Sequence, residues 1–133
     1  MIGFELKNVN PKNKKTSDCV IRALTVATGD SYEVIRDELI EIMKKTGYMI
    51  NTKNAYEKLL KARGWDKHKQ PCYPDGLKFK VGEIDYLIKE NESAVVSLAN
   101  HLTAVEKGKI VDTWDCRHKT IGNYYTKGGV KND

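Results

Sequence analysis

A chain of 133 residues, 40% of them hydrophobic, with a net charge of +5, is long enough to bury roughly two-thirds of the surface its unfolded form exposes, so a single domain over residues 1–133 needs no disulfide staples. Its lysines are scattered and interleaved with Asp and Glu, and no arginine–aromatic cluster stands out, which argues against a specific nucleic-acid partner. No apolar run approaches the ~20 residues of a membrane span and the opening MIGFELKNVN is charged too early for a signal segment, so a cytoplasmic protein without membrane contact is expected, its Cys19, Cys72 and Cys116 remaining free thiols.

Residues 2–6 alternate weakly and predict an edge strand, and NVNPKNKKTS is a polar loop. Beyond Cys19, Val20, Ala23, Leu24 and Ala27 fall at i, i+3, i+4 and i+7. Ile21 and Val26 widen that stripe until Arg22 is the only charge inside it. This pattern predicts a helix buried on most sides, with Asp18 as its cap and Gly29 as its stop. Asp30 with Glu33 offers a capping-box-like start for a second helix to about residue 45, with Ile35, Leu39, Ile42 and Met43 on one face and Gly47 at its end. Asn51 or Thr52 caps a third helix, AYEKLLKARG, whose inward residues are Tyr56, Leu59 and Leu60 and whose stop is Gly64.

Residues 65–82 read as a long, exposed-looking irregular segment whose Trp65, Tyr73 and Phe79 supply local packing, a contact surface or a substrate wall. EIDYLIKE is a short helix. After it the period changes: SAVVSLA, HLTAVE and KIVDTW are strands rich in β-branched residues, the last two joined by a tight hairpin at Lys107-Gly108. The tail adds a strand through Tyr124 and Tyr125. Helices first and an antiparallel sheet second is an α+β arrangement.

A cysteine in the first turn of a helix lies among unpaired backbone N–H groups and at the positive end of the helix dipole, which favour a thiolate. Alone, that reads better as packing. A thiolate nucleophile also needs a histidine to hold as imidazolium, and the histidine needs an orienting group. His68 and His118 fall in polar, loop-like stretches and read as surface residues, whereas His101 opens a strand. With Lys107 and Gly108 as a two-residue loop, Asp112 lies diagonally across from His101 on one sheet face. A three-residue loop would offer Asp115 instead, and periodicity leaves both open. His68, Cys72, Cys116 and His118 could close a tetrahedral zinc site, but their spacings match no common knuckle, so neither metal nor cofactor is expected.

Asp-Cys at the start of an apolar helix, a histidine opening a late strand and a carboxylate after a short hairpin resemble the papain-like cysteine peptidases, especially small bacterial members such as the bacteriocin-leader peptidase domains. Asn13 stands six residues before Cys19, where the family usually carries its oxyanion-hole glutamine, and Asp112-Thr113-Trp114 is similar to the family's Asn-Ser-Trp. The pairing of DCVIRAL with HLTAVEKGKIVDTWD is also similar to uncharacterised phage and bacterial papain-like proteins. The matching stretches, residues 13–29 and 94–115, cover well under half of the chain. The chain departs from the pattern at Val20, where Gly or Trp often follows the cysteine, and at Asn13, one methylene shorter than glutamine.

The resemblance implies a papain-like α+β domain with the nucleophile at the start of a central helix packed on a C-terminal antiparallel sheet. It implies Cys19 as nucleophile, His101 as acid and base, Asp112 rather than Asp115 as its orienter, Asn13 as oxyanion donor, and Trp114 as the shield of the His–Asp bond. Trp114 and Trp65 are then the expected substrate contacts. The implied activity is thiol-dependent hydrolysis of a peptide, isopeptide or amide bond in a protein or peptide substrate. Acyl transfer uses the same triad, and an inactive descendant would bind a partner protein.

Overall fold

The computed structural model describes residues 1–14 and 16–128. In chain order these form β1 (Gly3–Leu6), α1 (Cys19–Thr28), α2 (Tyr32–Thr46), α3 (Lys53–Ala62), β2 (Trp65–His68), a 3-10 helix (Val81–Tyr86), β3 (Ala94–Leu98), β4 (His101–Glu106), β5 (Lys109–Asp112) and β6 (Tyr124–Lys127). The class is mixed α+β, with the helices packed on a six-stranded sheet ordered β1-β5-β4-β3-β6-β2.

Local chemistry sets the helix boundaries. Gly29 and Gly47 take up left-handed conformations, with φ of 79° and 82°, and so end α1 and α2. The α2 cap is Ser31, whose hydroxyl accepts from the Val34 N–H at 3.2 Å. Asp30, the expected cap, sits one residue too early and is drawn away by a 2.7 Å ion pair with Arg63. Thr52 caps α3 by accepting from the Ala55 N–H. Asp18 occupies the N-cap position of α1 but makes no side-chain cap bond, because its carboxylate is taken by Arg22, Asn10 and Tyr32.

The sheet is mixed rather than wholly antiparallel. β1 runs parallel to β5, with Gly3 opposite Lys109 and Leu6 opposite Asp112, while every other pair is antiparallel. No hairpin joins β1 to its neighbour, so turn geometry does not dictate its direction. The expected irregular segment also departs at its start. Residues 65–68 are β2, pairing with β6 from Trp65↔Lys127 to His68↔Tyr124, and Trp65 is 8% exposed within the core beneath the helices. Phe79 is likewise buried and stacks on Tyr73 at 3.9 Å. The expected helix at EIDYLIKE is a 3-10 turn that begins two residues earlier, at Val81.

Period-two alternation divides the core between the sheet's two faces. Val95, Leu102, Ala104, Val111 and Tyr125 pack against α1, α2 and α3. Ala94, Val96, Leu98, Val105 and Ile110 turn to the other side, against Phe79, Val81, Ile84, Cys116 and Ile121. α1 lies over β4, burying Val20, Ile21, Ala23, Leu24, Val26 and Ala27. Complete burial of a side chain such as Leu24 contributes about 2 kcal/mol. That packing sets the N-terminus of α1 against the first residues of β4.

Candidate active site

Two segments far apart in the chain meet at this edge. Cys19 is the first residue of α1, and the N–H groups of that first turn have no intrahelical acceptor. His101 is the first residue of β4, held in place by a two-residue turn, Ala99 and Asn100, in which Asn100 has φ of 56° and Leu98 pairs with His101. Asp112 is the last residue of β5. Lys107 and Gly108 form the β4–β5 turn with φ of 51° and 77°, and the pairs Glu106↔Lys109 and Val105↔Ile110 follow. This is the two-residue register. It puts His101 and Asp112 on one face, and the His101 Nε2–H donates to Asp112 Oδ2 at 2.6 Å. Asp115 instead closes onto Arg117 at 2.8 Å, with its carboxyl held down to about 2 by that guanidinium.

With Nε2 committed to Asp112, Nδ1 is the ring nitrogen of His101 left to act on the Cys19 thiol, whose ionisation His101 favours. Burial pushes the thiol up, but hydrogen bonding to His101 and to the Leu102 N–H, with the positive charges of His101 and Arg22, brings it below the ordinary thiol value. Burial would equally push His101 down, yet its bonds to Asp112 and Cys19 raise it to about 9. Burial likewise works against ionised Asp112. Its bond from His101, the neighbouring Thr103 hydroxyl and the Thr113 N–H still hold it below the usual carboxylate range. The two shifts in the Cys19–His101 pair favour a thiolate beside an imidazolium.

Behind this pair runs a polar network that reading the sequence missed. Arg22, one turn along α1, binds Asp18 through Nε at 2.7 Å and Asp112 Oδ1 through Nη1 at 3.1 Å, and its side chain is only 12% exposed. Asp18 also accepts from the Tyr32 hydroxyl at 2.7 Å and from Asn10 Nδ2 at 2.9 Å. Burial pushes Asp18 up, and the bonds from Arg22, Tyr32 and Asn10 more than reverse it. The available signal was Arg22 itself, the lone charge inside an apolar stripe.

The remaining expected site residues are divided. Trp114 lies with its ring 5.0 Å from the His101 ring at a 53° tilt and is 37% exposed, so it covers one side of the imidazole. Asn13 is exposed, with φ of 52°, and lines a cleft of ≈ 740 Å³ together with Leu6, Lys7, Ser17, Arg22 and Thr113. Cys19 does not line that cleft, which borders the site through Arg22 and Thr113, both bonded to Asp112. Trp65 is not brought to the site. It packs near Ala27 and Thr28 at the other end of α1, roughly 12–15 Å along the helix axis from Cys19.

His101, Asp112 and Cys116 place potential ligand atoms within 4.8 Å of one another. The chemistry there does not suit a cation. Burial raises the Cys116 thiol to about 11, and both Asp112 oxygens are already occupied, Oδ1 by Arg22 and Thr113 and Oδ2 by His101. The set of His68, Cys72, Cys116 and His118 is dispersed: His68 stacks on Tyr124 and bonds Thr126 in β2, whereas Cys116 lies in the core on the far face. No protein-family model, curated protein or solved structure matches this chain.

Proposed function

We propose that the protein is a papain-like cysteine hydrolase that cleaves a peptide, isopeptide or amide bond in a protein or peptide substrate. The observation that carries this reading is His101, bonded to Asp112 at 2.6 Å, with its imidazolium favoured by Asp112 and Cys19 and the Cys19 thiol lowered in turn. Cys19 Sγ attacks the substrate carbonyl carbon, and the C–S bond forms as the carbonyl electron pair moves onto oxygen. The Cys19 backbone N–H faces that oxyanion, and one such donor contributes about 3 kcal/mol to the transition state; Asn13, on a cleft that Cys19 does not line, is not placed to supply the second. His101 passes its proton to the leaving nitrogen, the C–N bond breaks, and a thioester remains. His101 then takes a proton from water, whose oxygen attacks the thioester, and the C–S bond breaks to restore the thiolate. Asp112 remains ionised throughout and fixes the tautomer and orientation of the ring.

Cys72, exposed in the same chain, is an internal standard for the test. An ordinary thiol is less than about 1% ionised at pH 6. Iodoacetamide at that pH is expected to label Cys19 at least about tenfold faster than Cys72, after allowing for the lower nucleophilicity of a low-pKa thiolate. His101→Ala should remove the difference. Equal labelling of Cys19 and Cys72 in the wild-type protein, or a rate at Cys19 indifferent to His101→Ala, rules the activated thiol out.

A further inference from the structure

We infer that Arg22 is a positioning residue of this site, fastening the inner oxygen of Asp112 so that the outer oxygen meets His101 and neutralising Asp18 beside the nucleophile. The inference rests on the thiol-hydrolase reading for its functional meaning and on geometry for its substance.

A lone carboxylate at the end of a strand can rotate about its last torsion and present either oxygen to a neighbour. Here Oδ1 accepts from Arg22 Nη1 at 3.1 Å and from the Thr113 N–H at 2.6 Å. Only Oδ2 is left for His101, at 2.6 Å. Arg22 is fixed in turn, because Nε and Nη1 of one planar guanidinium reach two carboxylates on different elements, Asp18 at the start of α1 and Asp112 at the end of β5. Helix and strand are thereby clamped at the positions that carry nucleophile and orienter.

The same clamp answers a difficulty in the sequence. Asp18 precedes Cys19 directly, and a bare carboxylate there would oppose thiolate formation. It is instead 7% exposed and turned onto Arg22, Tyr32 of α2 and Asn10 of the preceding loop. The charged and titratable groups around the thiol are therefore His101 from β4, Arg22 and Asp18 from α1 and, beyond the histidine, Asp112 from β5, with the neutral Cys116 and Tyr32 behind the two aspartates.

The test compares Arg22→Met, Arg22→Lys and Asp18→Asn with the wild-type protein by two readouts. The first is the pH dependence of Cys19 alkylation. Arg22→Met removes a positive charge and uncovers two negative ones, so its acid limb should move to higher pH by about one unit. Arg22→Lys keeps the charge and should recover most of that shift, and Asp18→Asn should move the limb the other way. The second readout is the downfield proton resonance of the His101 Nε2–H, expected in the wild type, kept in Arg22→Lys and broadened or lost in Arg22→Met. A merely structural Arg22 would lower the melting temperature and leave both the limb and the resonance in place. Superimposable profiles with an unchanged resonance in Arg22→Met overturn the inference, as does absence of the resonance from the wild type. If Arg22→Met does not fold, an unmoved limb in Asp18→Asn overturns it as well. Should wild-type Cys19 label no faster than Cys72 while the resonance still depends on Arg22, the hydrolase reading fails and the positioning of Asp112 by Arg22 stands.

Discussion

At the scale of single residues, the site depends on which charges are compensated and which side chains cover them. Cys19, His101 and Asp112 were legible in the sequence as residue types in a familiar order, because their chemistry leaves few substitutes. Arg22 and Tyr32 were not, because a bridging cation and a phenol gain their meaning only from partners far away in the chain. Trp114 contributes through its ring. Its contact with His101 at 5.0 Å favours the imidazolium by about 0.5–1 kcal/mol, the range of a partly exposed cation–π contact. Trp114→Ala is therefore expected to lower the His101 value from about 9 by roughly half a unit. The alkaline limb of Cys19 alkylation should then move to lower pH, with Trp114→Phe lying between. A limb that stays in place would show that the ring covers the imidazole without stabilising its charge.

At the scale of elements, turns decide more than propensity. The choice between Asp112 and Asp115 was open in the sequence because a one-residue change of loop length flips every side chain of a strand. The structure resolves it through two consecutive left-handed residues, Lys107 and Gly108, a geometry that suits the twist of paired strands. An alanine at Gly108, where φ is 77°, would meet no neighbour but would strain the backbone. Gly108→Ala is expected to lower stability by about 1–2 kcal/mol, read as a lower urea midpoint at unchanged slope. No loss would mean that the turn relaxes to another type. β2 escaped sequence reading for a related reason. WDKH is four residues long with three of them polar or charged, and it becomes a strand only because β6 lends it a partner.

At the scale of the whole molecule, the α+β class followed from the change of hydrophobic period along the chain, whereas strand order and the direction of β1 did not. Long-range pairing leaves no local signature. The hydrogen-bonded carboxylates and phenols give the molecule a characteristic stability profile. Asp18, Glu57 and Asp112 all lie below their ordinary values in the fold. Their contribution is complete above the unfolded carboxylate value of about 4 and is lost as pH falls through the lower folded values. Tyr32, raised to about 12, and Tyr125, raised by burial and by Glu57, behave in the opposite sense. They contribute below the unfolded phenol value of about 10 and lose that contribution as pH rises through the folded values. With respect to these groups the urea midpoint is expected to fall below about pH 5 and above about pH 9, while between them the raised His101 contributes fully below its unfolded value and loses that contribution as pH rises toward about 9. A midpoint unchanged between pH 5 and 3 would contradict the pairing and hydrogen bonding of these carboxylates. The parallel pairing of β1 with β5, Gly3 opposite Lys109, also has a consequence in time. Contacts between distant parts of a chain form late, after the loop between them has closed. α1 can coil as soon as it is made, but His101 and Asp112 follow only with the final third of the chain, and the strand beside Asp112 closes last. During synthesis Cys19 is therefore an ordinary thiol, and the groups that lower it arrive only with the completed fold.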